Sequence, residues 1–139
     1  MTDKISKARR SRNMAAIRSE NTKPEMIVRR LVHAMGYRYR LHRKDLPGKP
    51  DLVFGPRRKV IFVHGCFWHQ HPAKDCLDGR LPKSNTSYWT AKLARNVERD
   101  RKNQRLLKDA GWKVLVLWEC EILKSPDLEE RIRKFLDED

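Results

Sequence analysis

An apolar, partly β-branched run, Val60-Ile61-Phe62-Val63, leads directly into His64, Cys66, His69, His71 and Cys76. The run reads as a core strand, and the residues after it are ligand and acid/base types in a turn-rich stretch. A chain written this way carries its chemistry at the C-terminal end of a buried strand. The remaining elements are best understood by how they surround that strand.

Upstream, Thr22-Lys23-Pro24-Glu25 is a capping-box pattern in which the Thr22 hydroxyl accepts from the Glu25 amide and the Glu25 carboxylate returns to the Thr22 amide. A helix follows to about Met35, with Ile27, Leu31 and Met35 on its apolar face and Gly36 as its stop. Glu25 therefore has a structural role available beside any chemical one. Tyr37 to His42 alternates aromatic or aliphatic with basic residues, the period of a strand with one solvated face. Leu46-Pro47-Gly48-Lys49-Pro50 breaks the chain before the short strand Asp51 to Phe54, and Gly55-Pro56 turns it into Lys59 to Val63. If those two strands are neighbours, Asp51 comes close to the Val63 to His64 end.

Downstream, Trp89, Leu93 and Val97 begin a long helix from about Ser87 to Ala110, stopped at Gly111. Its other faces carry Lys92, Arg95, Arg99, Arg101, Lys102 and Arg105; Glu98 and Asp100 soften this strip by pairing with Lys102 or by facing water, and Asn96 is a candidate for hydrogen-bonding a base edge. Trp112 to Trp118 predicts a strand buried on both faces. A last helix is predicted from Ser125 as N-cap, with Pro126 at its first position and Leu128, Ile132 and Leu136 inward. The resulting α/β order, one helix, three strands, a helix, a strand and a helix, describes one domain over residues 21–139 preceded by a basic arm over residues 1–20.

The 32 Lys and Arg against 18 Asp and Glu leave a formal charge of +14, which points to a polyanion, with nucleic acid the favoured class. No apolar run approaches the ~20 residues that span a bilayer, and MTDKISKARR has no apolar leader core, so a cytoplasmic protein without membrane contact is expected. In the arm, Met14 and Ile17 stand three apart in a field of arginines. They either pack on the body or press on DNA base steps.

In reducing cytoplasm three cysteines read as thiols or ligands rather than as a disulfide framework. Cys66-x4-His71-x4-Cys76 with Cys120 offers three thiolates and one imidazole, a set suited to closed, tetrahedral, structural Zn²⁺. His69 competes with His71 for the imidazole position. Phe67 and Trp68, enclosed by these ligands, and Trp89 either form a satellite cluster over the loop or stack on bases.

Taken together, Pro50-Asp51, the run VIFVHGCFWH, Tyr88-Trp89, the run NVERDR, GWKVL and Trp118-Glu119-Cys120 closely resemble the very short patch repair (Vsr) DNA mismatch endonucleases, over about Arg10 to Cys120. The resemblance implies a restriction-endonuclease-like core, a mixed central sheet flanked by helices, with a structural zinc loop. It implies a monomeric Mg²⁺-dependent enzyme that nicks double-stranded DNA 5′ to the thymine of a T:G mismatch left by 5-methylcytosine deamination. A functional link to a cytosine-5 DNA methyltransferase and a repair polymerase comes with that activity. By the same likeness Asp51 is the metal-binding carboxylate, with the Val63 carbonyl beside it; His69 is the general base, and His64 and Glu25 assist. Cys66, His71, Cys76 and Cys120 fall on the zinc ligands, Phe67, Trp68 and Trp89 on the DNA-wedging aromatics, and Met14 and Ile17 on the segment gripping the opposite groove. Val63 stands where some members have threonine, which leaves only its backbone for the metal. Cys76 is further from His71 than in some relatives. The rival expectations are a nuclease of this core indifferent to mismatches and a zinc-stabilised DNA-binding module without catalysis.

Overall fold

The computed structural model describes residues 21–69, 86–124 and 126–138. Helix α1 (Lys23–Ala34) is capped as predicted at one end of its box: Thr22 Oγ1 accepts from the Glu25 amide at 3.3 Å. The return bond differs. Glu25 Oε1 accepts at 2.9 Å from Asn21 rather than from Thr22, because a left-handed backbone at Asn21, φ 61°, brings that N–H to the carboxylate first. At the far end Gly36, φ 98°, takes the left-handed turn that releases the chain.

The sheet is mixed, in the order β1 (Arg40–Leu41), β2 (Leu52–Phe54), β3 (Lys59–His64) and β4 (Lys113–Trp118). The first three pair antiparallel and β4 runs parallel to β3, from Lys59 opposite Lys113 to His64 opposite Trp118. Between β3 and β4 lie the short helix α2 (Cys66–His69) and the long helix α3 (Thr86–Asp109); α4 (Glu119–Lys124) and α5 (Leu128–Asp137) close the chain. Period-2 alternation sorts the strands onto two cores. Leu52, Phe54, Ile61 and Leu117 pack with α1, α4 and α5, whereas Val53, Val60, Phe62 and Trp112 pack with Leu107 of α3. None of the described helices is long and apolar enough to cross a membrane.

Three elements depart from the sequence reading. The strand predicted over Tyr37 to His42 shrinks to Arg40–Leu41: Tyr39 turns inward, its ring edge-on to Phe54 and its hydroxyl donating to Arg29 O at 2.9 Å, and His42 ends the strand at φ 47°. The Trp112 to Trp118 strand is less enclosed than its composition suggests. Leu117 is buried but Val114, Leu115 and Val116 only half so, because among the described residues β4 is an edge strand paired with β3 alone. The last helix starts at Leu128 with Asp127 in the N-cap position, and Ser125 lies outside the described residues.

Lys59, with 4% of its surface exposed, is a buried cation at the start of β3. Its ammonium donates to the carbonyls of Phe135 at 2.6 Å and Leu136 at 3.0 Å, and to that of Glu138, so it caps the carbonyl end of α5, where the helix dipole is negative. Lys59→Met keeps the stem and strands these carbonyls. A loss of about 1–3 kcal/mol is expected in the free energy of urea unfolding, and an unchanged midpoint would show that the cap contributes nothing.

Candidate active site

Two clusters of ionisable side chains lie at the C-terminal end of β3. The first joins α1 to the β1–β2 region. Glu25, 1% exposed, points its Oε2 at His42 Nε2, 2.7 Å away, and Arg29 approaches the same oxygen at 3.5 Å. A carboxylate this deeply buried is tolerable only because both oxygens are hydrogen-bonded. His42 Nε2 also lies 3.9 Å from Asp51 Oδ1. Asp51 in turn accepts from the Val63 amide through Oδ2 at 2.7 Å, the contact expected from neighbouring strands.

The loop before Asp51 is set by Gly48. Its φ is 77°, and a Cβ there would come within 3.0 Å of Asn103 and 3.2 Å of the Phe62 ring, so the loop presses against α3 and β3 with only a glycine's clearance. Asp51 consequently enters β2 from a fixed point, one residue before the strand begins.

The second cluster lies on the α3 face. His64, on the same strand face as Val60 and Phe62, is 4% exposed and stacks on His69 with ring centroids 3.8 Å apart and planes 8° off parallel. His69, at the end of α2, places Nδ1 2.6 Å from Asp100 Oδ2 on α3. An ionised carboxylate only accepts, so Nδ1 carries the proton and Nε2 is left with the lone pair a base needs. Burial pushes the His64 imidazole down to about 3, reinforced by His69 and opposed by Asp100. His64 is thus neutral at neutral pH, an imidazole with a single N–H rather than a cation. Among the described residues its buried Nδ1 has no hydrogen-bond partner.

Because Val63 holds Asp51 and the next residue is His64, the two clusters adjoin through a single peptide. Ligand atoms of Glu25, His42 and Asp51 lie within 4.8 Å of one another, as do those of His64, His69 and Asp100. The oxygen-rich first set fits a hard cation such as Mg²⁺. Among the sequence-predicted residues, Glu25, Asp51 and Val63 belong to the first cluster and His64 and His69 to the second. Sequence reasoning missed two members. His42 reads as one step of a strand alternation, and Asp100, expected beside Lys102 or water, is instead bonded to His69; its place in the NVERDR run was the only signal.

Of the expected zinc ligands, Cys66 and Cys120 adjoin, the Cys120 amide lying 3.4 Å from Cys66 Sγ; His71 and Cys76 are outside the described residues, as are Met14 and Ile17. The side chains of Phe67 and Trp68 are likewise outside the description. Trp89 is half-buried and edge-on to the exposed Tyr88, at 5.2 Å. Asn96 does not lie on the open cationic strip: it is 6% exposed and its amide oxygen accepts from Arg99. The strip itself, Arg95, Arg99, Arg101, Lys102 and Arg105, is exposed along α3.

A family model described as DNA mismatch endonuclease Vsr matches residues 2–76. Among similar proteins, the "Type II nicking enzyme V.XorIIP" of Xanthomonas oryzae pv. oryzae is 52% identical, over 99% of this chain and 98% of that protein. The "Type II nicking enzyme V.NmeAIP" of Neisseria meningitidis serogroup A is 43% identical, over 99% of this chain and 96% of its own length. The "DNA mismatch endonuclease Vsr" of Escherichia coli is 40% identical, over 98% of this chain and 88% of that protein.

Proposed function

The chain belongs to the Vsr family of DNA mismatch endonucleases, and from that premise we propose that it nicks one strand of duplex DNA 5′ to the thymine of a T:G mismatch, the product of 5-methylcytosine deamination, and so begins very short patch repair. The observation that carries this reading is the junction of the two clusters at Val63 and His64: a carboxylate site suited to a divalent cation beside an imidazole whose free nitrogen is defined by Asp100. Phosphodiester hydrolysis needs an activated water, neutralisation of the charge growing on phosphate oxygens, and help for the departing 3′ oxygen.

In this reading Asp51 and the Val63 carbonyl hold Mg²⁺, and Glu25 supports that site. When bound, the cation supplies Lewis-acid neutralisation of phosphate charge. His69 Nε2 takes the proton of the attacking water while Asp100 stabilises the ring that receives it. His64 donates to a phosphate oxygen as a neutral imidazole. Cys66, His71, Cys76 and Cys120 bind a structural Zn²⁺ that shapes the loop after β3; the adjacency of Cys66 and Cys120 supports this. Phe67, Trp68 and Trp89 wedge beside the mismatch, Met14 and Ile17 grip the opposite groove, and the arm over residues 1–20 is a DNA-gripping unit on the endonuclease domain. Asn96, turned toward Arg99, would reach a base edge only by exchanging that partner. We take the enzyme to act as a cytoplasmic monomer, downstream of a cytosine-5 DNA methyltransferase and ahead of a repair polymerase.

The test is an end-labelled duplex series, T:G and fully matched, in varied flanking sequence with Mg²⁺. Nicking confined to T:G, on the thymine strand and abolished by EDTA, is expected. Equal cutting of matched DNA would establish the mismatch-indifferent nuclease instead, and binding without nicking would leave a zinc-stabilised DNA-binding module.

A further inference from the structure

His42 lies between the two carboxylates of the first cluster, yet nothing in the motif that defines the family resemblance includes it. Its Nε2 is 2.7 Å from Glu25 Oε2 and 3.9 Å from Asp51 Oδ1, and its backbone amide donates to the Asp51 carbonyl at 3.2 Å. One residue thus ties α1 and the start of β2 together through both its side chain and its main chain. It does so from a left-handed backbone, φ 47°, a conformation that disfavours any residue with a Cβ. Such a conformation persists where surrounding contacts impose it.

Glu25 and Asp51 also need a reason to sit together. Two anions with oxygen atoms in one small cluster repel, and Arg29 meets Glu25 only at 3.5 Å. The shorter contact is the imidazole N–H, since a buried carboxylate accepts and His42 Nε2 must donate to it. The Asn21 amide fixes the other oxygen of Glu25. With both oxygens held, the carboxylate cannot swing away from Asp51.

We infer that His42 is a positioning residue of the cation site: its Nε2–H fixes the Glu25 carboxylate toward Asp51, so that the two acids act on one divalent ion. This rests on Asp51 being a metal ligand, as proposed above. Groups of this kind, hydrogen-bonded to ligating side chains, typically change metal affinity by about 10- to 100-fold when removed.

Two substitutions separate positioning from folding. His42→Asn suits the left-handed backbone but is too short to reach Glu25. His42→Gln places an amide N–H near the position of Nε2. Mn²⁺ binding to the DNA-free protein, read from the free-ion paramagnetic resonance signal, is expected to weaken roughly 10- to 100-fold in His42→Asn and to recover to within about 3-fold of the parent in His42→Gln. The Mg²⁺ concentration for half-maximal nicking should move in parallel, with thermal unfolding reporting that the variants remain folded. Asp51→Asn is the control. If it loses Mn²⁺ binding while His42→Asn keeps it, the inference about His42 fails alone; if Asp51→Asn binds Mn²⁺ as the parent does, the metal site itself is wrong. A His42→Gln protein as weak as His42→Asn also overturns the inference. Should His42→Asn not fold, Glu25→Gln reads the same contact from its other side, and undiminished Mn²⁺ affinity there counts against the inference.

Discussion

Asp51→Asn is expected to lower the nicking rate on a T:G duplex on the order of 10³-fold while leaving DNA affinity, measured in EDTA, unchanged. The substitution is nearly isosteric: the amide oxygen can still accept from the Val63 N–H, now 2.7 Å from Oδ2, so the β2–β3 junction stays closed. What disappears is the charge. A metal-stabilised phosphate transition state draws several kcal/mol from that interaction, and each 1.36 kcal/mol is tenfold in rate. Stability should not fall, because removing one of two neighbouring anions relieves the repulsion between Asp51 and Glu25. Single-turnover nicking within tenfold of the parent at saturating Mg²⁺ would remove Asp51 from the reaction.

Asp51 was legible in sequence because its position follows from local rules. Pro50 excludes helix, the apolar alternation fixes β2 and β3, and the turn between them sets an antiparallel register. With Leu52 opposite Ile61, the next step of the ladder brings Asp51 beside Phe62 and Val63. Helix α1 was legible for the same kind of reason, since its cap, first-turn proline and terminal glycine all act within a few residues.

Long-range contacts wrote the parts that were not legible. Asp100 meets His69 across 31 residues, and nothing in a cationic helical strip distinguishes an aspartate that faces solvent from one that orients an imidazole. His42 obeys the strand alternation of its neighbours until tertiary contact with Glu25 pulls it out of the ladder. Likewise the apolar run of β4 carries no mark of sheet position; composition suited to a central strand sits on one that pairs on one side only among the described residues. Lys59 is the reverse case, a charge in a strand that the sequence gives no reason to bury until the carbonyls of α5 arrive to receive it.

The second large effect is expected at His69. His69→Ala should slow single-turnover nicking by about 10²–10⁴-fold, the range for loss of a positioned general base. Asp100→Asn is the more informative change. The carboxylate at 2.6 Å dictates that Nδ1 holds the proton and Nε2 the lone pair. An asparagine can rotate its NH₂ toward Nδ1, which transfers the proton to Nε2 and leaves the ring in the wrong tautomer with its position unchanged. A loss approaching that of His69→Ala is therefore expected from Asp100→Asn, and the double variant should be little worse than either alone, because residues acting as one unit are not additive. Mismatch affinity in EDTA should be unaffected in all three. The stacking of His64 on His69 gives the ring a second constraint, so it should stay in place when Asp100 is changed. A His69→Ala enzyme nicking within tenfold of the parent, or losses at His69 and Asp100 that multiply as independent effects, would break the pairing of base and orienting carboxylate.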